Sequence, residues 1–494
     1  MNRPVSGVDV QTHPLRVPEA CRRLARMRLL LVSTYELGRQ PVHLASPTAA
    51  LGEAGVEVTA VDLSVEDWDS SLLDGVDAVA FSVPMHTAMR LAGAVARDVR
   101  RERPNLPIAF YGLYAAVGRD RLLGAVADAL IVGEYEPGLV AWAHQVGDGA
   151  AASVVHRHLG RSPFHTPDRS GLPSHDAYAR LEWMGETRLA AAVEASHGCR
   201  HRCRHCPIPV VYDGRMRVVG ATPVLADIDQ LAGDGIQHIT FGDPDFLNAP
   251  RYSLDLLREA HAAHPGLTFD VTVKVEHILT HAALWPEFAS LGVLFVVSAF
   301  ESTDRRTLEI LDKNHTVDGM AEAVSMLRSA GIHVRPTWLP FLPWTAPGHL
   351  VDLVRFLDRH ELWSATDPVQ LAIKLLIPEG SLLETHPAVT PHLSEYEPES
   401  LTWSWEFEHP EAEQLHLDLD SIAAEGSDCG VEAIEILSTM RDRIAVIADV
   451  PFPTMPGSAP APRLTESWFC CAEPTSAQAI AVGLRIGRVP LATK

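Results

Sequence analysis

Three cysteines lie close together near the middle of the chain, at positions Cys199, Cys203 and Cys206. Their C-x3-C-x2-C spacing puts three thiols on one loop, which follows an apolar, strand-like run from Leu189 to Ala195. Such a loop can wrap one face of an iron–sulfur cluster, because thiolate sulfur is the usual protein ligand of these clusters. A four-iron cluster held by three cysteines keeps one iron free to bind another molecule.

Zinc is the alternative occupant of this loop. A zinc knuckle needs a fourth cysteine or histidine to complete a tetrahedral site, and histidines are available at His197, His201 and His205. However, the sequence has no second C-x2-C pair of the kind that structural zinc sites use. The spacing therefore favours an iron–sulfur cluster over zinc.

The cysteine loop resembles the signature of the radical S-adenosylmethionine (SAM) superfamily, in which an aromatic residue, here His205, precedes the third cysteine. The resemblance implies that Cys199, Cys203 and Cys206 hold a [4Fe-4S] cluster whose open iron binds SAM. It also implies reductive cleavage of a carbon–sulfur bond of SAM, with flavodoxin or ferredoxin as an external electron donor. In such enzymes the cofactors carry the chemistry and the protein orients them.

The same resemblance implies residues that contact SAM. Gly242 and Asp243 follow the second strand of the core and occupy the place of the family's glycine-rich segment. Ser298 and Glu301 lie at the end of the fourth strand, where the family has polar contacts to the ribose and methionine parts of SAM. Lys313, twelve residues beyond Glu301, matches a basic residue of one radical SAM subgroup.

Further candidates lie on the third, fifth and last predicted strands of the core. Arg335 can pair with the SAM carboxylate through its planar guanidinium, and a structural role is the alternative. Ile373 falls in a segment that resembles the last-strand region packing on adenine. Thr272 and Lys274 close the third strand and are candidates to face the substrate.

The composition restricts the partners of the protein. The chain of 494 residues carries a net charge of −22, with 47% apolar and 21% charged residues. This charge disfavours binding to nucleic acid or to an anionic membrane, because phosphate contacts need a basic face. The sequence has no apolar run of the roughly 20 residues that cross a bilayer, and its first residues lack the apolar region and cleavage site of a secretory signal, so we expect none. Seven cysteines, three of them clustered, are typical of metal or redox use in a reducing cytoplasm, where we expect the protein to act.

Short apolar runs alternate with helical stretches along most of the chain, which predicts an α/β fold. The first part is predicted to be a doubly wound, Rossmann-like domain. The core supplies six strand–helix units, the last starting with a strand at 370–376, and the resemblance implies a partial (β/α)6 barrel. The predicted divisions are an N-terminal arm (1–25), the Rossmann-like domain (26–145), a connector (146–188), the radical SAM core (189–400) and a C-terminal extension (401–494).

The predicted N-terminal domain resembles the cobalamin-binding domain that precedes the core in one large radical SAM subgroup. The resemblance rests on the order of its segments and on the loops Gly112–Ala115 and Gly133–Glu136. The D-x-H-x-x-G motif that supplies a cobalt-ligating histidine is absent, and the first loop reads Thr34-Tyr-Glu-Leu-Gly-Arg-Gln40. Radical SAM relatives often bind cobalamin without that histidine. Cobalamin is therefore a candidate cofactor, and a domain that packs on the core without a corrinoid is the alternative.

Two adjacent cysteines, Cys470 and Cys471, follow a proline-rich linker in the C-terminal extension. Neighbouring thiols present two soft ligands to a thiophilic atom. The ending Ser467-Trp-Phe-Cys-Cys-Ala-Glu-Pro474 resembles the tail of a radical SAM group named for Cys-Cys-Ala-Glu-Pro, in which some members carry selenocysteine. We therefore predict that Cys470 and Cys471 act in catalysis. The alternative is two small apolar residues of a C-terminal helix.

Three functions are compatible with these residues. The first is a radical SAM enzyme, a transferase whose tail thiols hold trivalent arsenic, supplied as arsenite, for transfer of a 3-amino-3-carboxypropyl or methyl group from SAM. The second is a cobalamin-dependent radical SAM methyltransferase or rearrangement enzyme that acts on a small organic substrate. The third is a noncatalytic metal-binding protein or redox sensor.

Overall fold

The computed structural model of the chain describes residues 27–149, 154–457, 459–466 and 478. It has the predicted α/β architecture, with two mainly parallel sheets and helices packed on them. The predicted arm and the tail thiols Cys470 and Cys471 lie outside the described residues. Within the described part of the chain, no helix is long and apolar enough to span a bilayer.

Six parallel strands form the first sheet: β1 (Arg28–Ser33), β2 (Glu57–Asp62), β3 (Ala78–Ser82), β4 (Ile108–Tyr111), β5 (Ala129–Gly133) and β6 (Val154–His158). Their order in the sheet is β2-β1-β3-β4-β5-β6. Successive side chains of each strand point to opposite faces of the sheet. Apolar side chains cover both of these faces. On β1, Leu30 and Val32 pack into one core, whereas Leu29 and Leu31 pack into the other.

Strand β6 lies in the predicted connector, residues 146–188. It pairs in parallel with β5 from Ala129 to Gly133. Its sequence, Val-Val-His-Arg-His, has only two apolar residues, and it forms the half-buried edge of the sheet. An edge strand needs less apolar surface than a central one, so apolarity does not reveal it.

The helices that accompany the first sheet are α1 (Val42–Glu53), α2 (His86–Glu102), α3 (Arg119–Leu122) and α4 (Tyr135–Gly147). Helix α1 begins at Val42, so Pro47 lies inside the helix. A proline has no N–H to donate to the carbonyl four residues earlier. Here the Tyr111 hydroxyl donates to that carbonyl, on His43, at 2.6 Å. Tertiary structure therefore satisfies the group that Pro47 leaves unpaired.

The second sheet is the barrel sheet, built from β7 (Arg180–Trp183), β8 (Glu186–Val193), β11 (His238–Phe241), β12 (Thr268–Thr272), β13 (Val293–Glu301), β14 (His333–Trp338) and β17 (Arg463–Leu464). The order is β14-β13-β12-β11-β8-β7-β17. Five of these strands, β8 and β11 to β14, are parallel, and β7 and β17 close one edge in antiparallel pairing. Two short strands, β9 (Ser196–Gly198) and β10 (Met216–Val218), form a separate ribbon.

The barrel helices are α5 (Ile208–Tyr212), α6 (Ala221–Gly233), α7 (Pro250–Ala263), α8 (Val275–Thr280), α9 (Trp285–Ser290), α10 (Arg305–Leu311), α11 (Val317–Ser329) and α12 (Pro347–His360). A hairpin of β15 (Leu393–Glu397) and β16 (Thr402–Trp405) follows, and then helices α13 (Pro410–Asp428) and α14 (Ala433–Ala448). Residues such as Leu415 and Met440 of these last two helices are buried in the barrel core. The C-terminal extension is thus partly an outer layer of the barrel.

The predicted strand at 370–376 is wrong. The segment begins as a 3-10 turn, Pro368–Leu371, and pairs only through a bridge between Phe341 and Lys374. The Trp338 backbone N–H, at the end of β14, donates to the side-chain oxygen of Gln370 at 2.7 Å. A side chain therefore takes the position where a sixth strand would continue the ladder, and the described barrel has five parallel strands.

A buried arginine of the connector, Arg169, contacts both halves of the molecule. Arg169 donates to both carboxylate oxygens of Asp227 on α6, at 2.7 and 2.8 Å. It also donates to the Gln40 side chain, after β1, and to the Ala192 carbonyl on β8. A planar guanidinium can satisfy all of these acceptors at once, so Arg169 fixes the loop after β1 relative to the strand before the cysteine loop.

Candidate functional site

A cavity of about 500 Å³ lies where the carboxyl ends of both sheets meet. Loops of the first sheet contribute Leu37, Met85, Leu113 and Tyr135 to its wall. The cysteine loop and the ends of the barrel strands form the rest. Ligands of parallel α/β folds bind at these strand ends, and the volume lies within the range of small-molecule sites.

Cys199, Cys203 and Cys206 all line this cavity. The first two are buried and the third is half-buried. Burial raises the pKa of the Cys199 and Cys206 thiols. A bound cation would favour the thiolate form instead.

The base of the cysteine loop is fixed by the ribbon of β9 and β10. Gly198, directly before Cys199, has a φ of 73°, and a β-carbon there would lie 2.4 Å from the Arg215 carbonyl oxygen. Only glycine fits this turn without a shift of backbone. Beyond the turn, the Asn248 amide lies 3.4 Å from the Cys199 sulfur. Ribbon and turn together aim the thiols at the cavity.

Glu301, Lys313 and His205 form a buried polar group next to the cysteine loop. The Lys313 ammonium lies 3.0 Å and His205 Nε2 lies 3.1 Å from the same oxygen of Glu301. Burial opposes the charged carboxylate, but the ammonium and the imidazole hold the pKa of Glu301 well below its usual range. Three residues predicted separately therefore meet at one place on the cavity wall.

The backbone at Glu301 is unusual. Its φ is 63°, in the left-handed region that non-glycine residues rarely adopt. The pairing of β13 with β14 shifts register between Ala299 and Glu301. This irregularity ends the strand and turns the carboxylate toward Lys313, so local strain accompanies a polar arrangement at the site.

Gly242 and Asp243 also line the cavity. The Asp243 carboxylate accepts a hydrogen bond from the Ala195 backbone N–H at 2.9 Å and another from the Ser196 hydroxyl. Burial raises the pKa of Asp243 to about 7, and these two hydrogen bonds limit the rise. The side chain of Asp243 is therefore engaged in fixing the start of the cysteine loop.

Arg335, Thr272 and Lys274 line the cavity as well. The Arg335 guanidinium donates to Asp367 at 2.8 Å and to the Pro462 carbonyl at 3.2 Å. These bonds tie β14 to the turn that follows Asp367 and to the segment before β17. In this structure Arg335 thus makes the contacts of a residue with a structural role, the alternative to pairing with the SAM carboxylate.

The structure does not bring Ser298 and Ile373 to the cavity. Strand β13 continues to Glu301, so Ser298 lies within the strand, and its neighbours Val297 and Ala299 are the ones that line the cavity. Successive side chains of a strand point to opposite faces, which puts Ser298 on the helix side. Ile373 is buried in an apolar cluster with residues such as Trp405.

Sequence reasoning missed an ionisable cluster between the two sheets. His43, from α1, lies 3.0 Å from Glu36 and 3.5 Å from Glu194. His197 lies 2.9 Å from Glu134 and 3.2 Å from Glu194. The five side chains come from three segments, around Glu36 and His43, Glu134, and Glu194 and His197, and no motif in the sequence predicts that these segments meet.

The charges in this cluster stabilise one another. Burial alone would lower the pKa of His43, but Glu36 and Glu194 raise it to about 9. Burial would raise the pKa of Glu194, but His43 and His197 lower it to about 2. His43 and Glu194 thus stabilise each other in their charged forms, and their contact joins the first sheet to the barrel.

Residues 463–466 of the extension reach the same cavity. Strand β17 pairs with β7, and Leu464 and Glu466 line the cavity wall. The Tyr35 hydroxyl, in the loop after β1, donates to Glu466 at 3.1 Å. Glu466 lies four positions before Cys470, which is outside the described residues together with Cys471.

Comparison with known proteins assigns the class of the barrel. Residues 193–356 match the sequence model of the Radical SAM superfamily. This range holds the three cysteines, the Gly242 turn and the Glu301 group, so the barrel is a radical SAM domain. That family uses a [4Fe-4S] cluster and SAM.

Two curated proteins show weak sequence similarity. The tRNA-2-methylthio-N(6)-dimethylallyladenosine synthase of Chlorobium phaeobacteroides (strain BS1) is 24% identical over 260 residues, 50% of this chain and 52% of that protein. The hopanoid C-2 methylase of Rhodopseudomonas palustris (strain TIE-1) is 24% identical over 182 residues, 35% of this chain and 34% of the methylase. The match thus covers about half of the length of the synthase and about a third of the length of the methylase.

Solved structures share the fold over more of the chain. The cobalamin-dependent SAM radical enzyme OxsB, with aqua-cobalamin bound, aligns with a TM-score of 0.61 and 14% identity, over 86% of this chain and 72% of OxsB. The radical SAM methyltransferase TsrM from Kitasatospora setae, with cobalamin and a [4Fe-4S] cluster bound, aligns with a TM-score of 0.54 and 17% identity, over 68% and 73%. At these identities the likeness concerns the fold.

Proposed function

We propose that this protein is a cobalamin-dependent radical SAM transferase that acts on a small molecule. The observation that carries the proposal is a single cavity, lined on one side by Cys199, Cys203 and Cys206 and on the other by the loop ends of the first sheet. OxsB and TsrM, which share this pair of domains, were solved with cobalamin. The relative that is a methylase favours methyl transfer over other reactions.

The cysteine loop fits a four-iron cluster. Three thiols converge on one cavity, and the other described cysteine, Cys429, is exposed at the end of α13. When bound, such a cluster supplies the electron that cleaves SAM. The thiolates hold it, and the ammonium of Lys313, held by Glu301, places a positive charge next to the thiolate ligands.

The polar wall fits SAM. The Gly242 turn, the Glu301 carboxylate and Lys274 all face the cavity near the cysteines. We assign Glu301 as the acceptor for a ribose hydroxyl, because Lys313 and His205 fix its orientation and keep it charged. Deep burial of these groups limits the access of water to SAM.

The first sheet fits a corrinoid for which the imidazole of His43 would not serve as a ligand. Leu37, Met85 and Leu113 give the loop ends an apolar wall, while both ring nitrogens of His43 face glutamates. A corrinoid bound here would supply the methyl group for transfer. The side chains of the wall would position it, and the paired His43 would remain an element of the domain junction.

The test is reconstitution with hydroxocobalamin, iron and sulfide under anaerobic conditions. We expect about one corrinoid and four irons per chain to remain after gel filtration. With SAM and reductant, S-adenosylhomocysteine should form together with 5′-deoxyadenosine, because methyl transfer consumes one SAM and radical formation another. A protein that assembles the cluster but retains no corrinoid would refute cobalamin dependence.

A second candidate is transfer of a SAM-derived group to trivalent arsenic held by Cys470 and Cys471. It is favoured by Leu464 and Glu466, which line the cavity four to six positions before Cys470.

Arsenite binding tests this candidate directly. We expect tight binding by the unmodified protein and loss of binding in the C470S/C471S variant, since vicinal thiols chelate a soft ion. The matched control is C429S, which removes an exposed cysteine far along the chain. Equal arsenite binding by C470S/C471S and C429S would exclude the role of the tail thiols.

A further inference from the structure

Three metal-ligating side chains meet beside the cysteine loop. His201 lies between Cys199 and Cys203, Asp245 lies in the turn after β11, and His277 lies in α8. One ligand atom from each lies within 4.8 Å of the other two. The residues come from three separate segments, and the family signature of the cysteine loop does not include them.

The arrangement of the ligand atoms is convergent. His277 Nδ1 lies 2.9 Å and His201 Nε2 lies 3.4 Å from the same atom, Oδ2 of Asp245. All three atoms are buried, and none is aligned for a hydrogen bond within the described part of the chain. The two rings are tilted by 57°, with centroids 4.6 Å apart. Lone pairs that point at one small volume are the donor set that a cation needs.

Asp245 has a particular need for a cationic partner. Its side chain is 2% exposed, and its Oδ1 accepts from the Leu247 backbone N–H at 3.0 Å. The second carboxylate oxygen, Oδ2, faces only the ring nitrogens of His201 and His277 and accepts from no backbone N–H among the described residues. Burial of a carboxylate is costly unless its charge is compensated, and a cation between the two imidazoles would compensate it.

We propose that His201, Asp245 and His277 bind one divalent transition-metal ion, such as Zn²⁺ or Fe²⁺, separate from the iron–sulfur cluster. Two histidines and one carboxylate form the ligand set of catalytic zinc and of non-haem iron sites, which keep coordination positions open. His201 and Asp245 line the cavity. The open positions therefore face the substrate side, where they suit an oxygen or nitrogen ligand of the substrate.

A hydrogen-bond relay without metal is the competing arrangement. Lys274 Nζ lies 3.2 Å and a Glu276 oxygen 3.8 Å from the other ring nitrogen of His201. In the relay, Lys274 would donate to Nδ1 of His201, and Nε2–H would donate to Asp245. In the metal site, Nδ1–H of His201 would face the Glu276 carboxylate, as in many metal-bound histidines.

Zinc is the probe, because mass spectrometry distinguishes it from cluster iron. We expect cluster-loaded protein to retain about one zinc per chain after desalting. H277A and D245N should each bind zinc at least about 100-fold more weakly, since each loses a ligand. D245N preserves the shape of the side chain, which guards against misfolding. The matched control is H281A, whose ring packs 5.5 Å from that of His277 but is not among the three ligands.

The thiols are a second place where zinc can bind, so the measurement is repeated in a C199S/C203S/C206S background. This background cannot form the cluster, and the result therefore does not depend on the proposed radical SAM activity. X-ray absorption should show nitrogen and oxygen at about 2.0–2.1 Å and no sulfur at about 2.3 Å. Zinc binding that is equal in H277A, D245N and H281A, or absent in all proteins, would support the relay and overturn the proposal.

Discussion

Single residues decide how the cavity wall is held. Glu301 combines a left-handed backbone conformation with two cationic partners, Lys313 and His205. Both Glu301 and Lys313 are almost fully buried. An isolated charge in such a place is far more costly than a pair. The conformation of Glu301 is thus maintained by electrostatic interactions.

The substitution E301Q should lower the free energy of unfolding by about 3–5 kcal/mol, because it leaves the Lys313 ammonium buried without its carboxylate. The measurement is urea unfolding of cluster-free protein. The double variant E301Q/K313M should recover part of the loss, since it removes the unpaired charge. A double variant that is less stable than E301Q by the full cost of K313M alone would contradict the coupling.

Single residues of the site differ in how well the sequence predicts them. The three cysteines, with Glu301 and Lys313, were predicted from spacing and resemblance, and all of them line the cavity. Ser298 was not predicted correctly, because β13 extends three residues further than its apolar run. The contact between His43 and Glu194 could not be predicted, because the two residues lie in segments that are distant in the chain.

At the level of elements, two features attach the first sheet to the barrel. Arg169 bonds the loop after β1, strand β8 and helix α6. The cluster of His43, Glu36 and Glu194 lies at the same junction. Both features involve buried charges with several partners, so each should contribute measurably to stability.

We expect R169M to reduce the free energy of unfolding by about 3–5 kcal/mol, since Asp227 would remain buried without its partner. The measurement is the urea midpoint and slope of the purified variant. R180M is the matched control, because Arg180 pairs with Asp176 at the surface, where ion pairs contribute at most about 1 kcal/mol. Equal losses in the two variants would show that the buried position of Arg169 has no special role.

The His43 cluster predicts a pH dependence. The pKa of His43 is raised to about 9, above its usual value near 6.5. Its contribution to stability is therefore complete below about pH 6.5 and is lost as the pH rises through 9. The difference is on the order of 3 kcal/mol, at about 1.4 kcal/mol per unit of pKa.

Unfolding midpoints at pH 6.5 and pH 9 check this dependence. The unmodified protein should lose stability between the two values, and H43Q should lose less. H264Q is the control, because His264 pairs with Asp229 at the surface, and it should keep the slope of the unmodified protein. A slope that is identical in H43Q and the unmodified protein would show that His43 does not carry the effect.

Central strands were easier to predict than the strands at the edges of the sheets. The central strands β1, β3 and β5 are almost entirely apolar runs, which is the pattern that predicts buried parallel strands. The edge strand β6 was missed, and the strand at 370–376 was predicted although Gln370 replaces it at the end of β14. In both places the outcome depends on neighbours in the sheet.

At the scale of the whole molecule, one cavity unites the two sheets and the C-terminal segment. The cysteine loop, the loops of the first sheet and Glu466 all border it. The chain returns from the last helix through β17, which pairs with β7 beside the cysteine-bearing strand β8. This path places Leu464 and Glu466 on the wall of the cavity that the cysteine loop also lines.

The central claim is that Cys199, Cys203 and Cys206 hold a cluster that cleaves SAM. The most direct measurement is mass spectrometry of SAM products after anaerobic reconstitution and reduction. We expect about four irons per chain and accumulation of 5′-deoxyadenosine, with both reduced to background in C203A and retained in C429A. A loop that takes up zinc in place of a cluster, or a complete cluster that leaves SAM intact, would contradict the account.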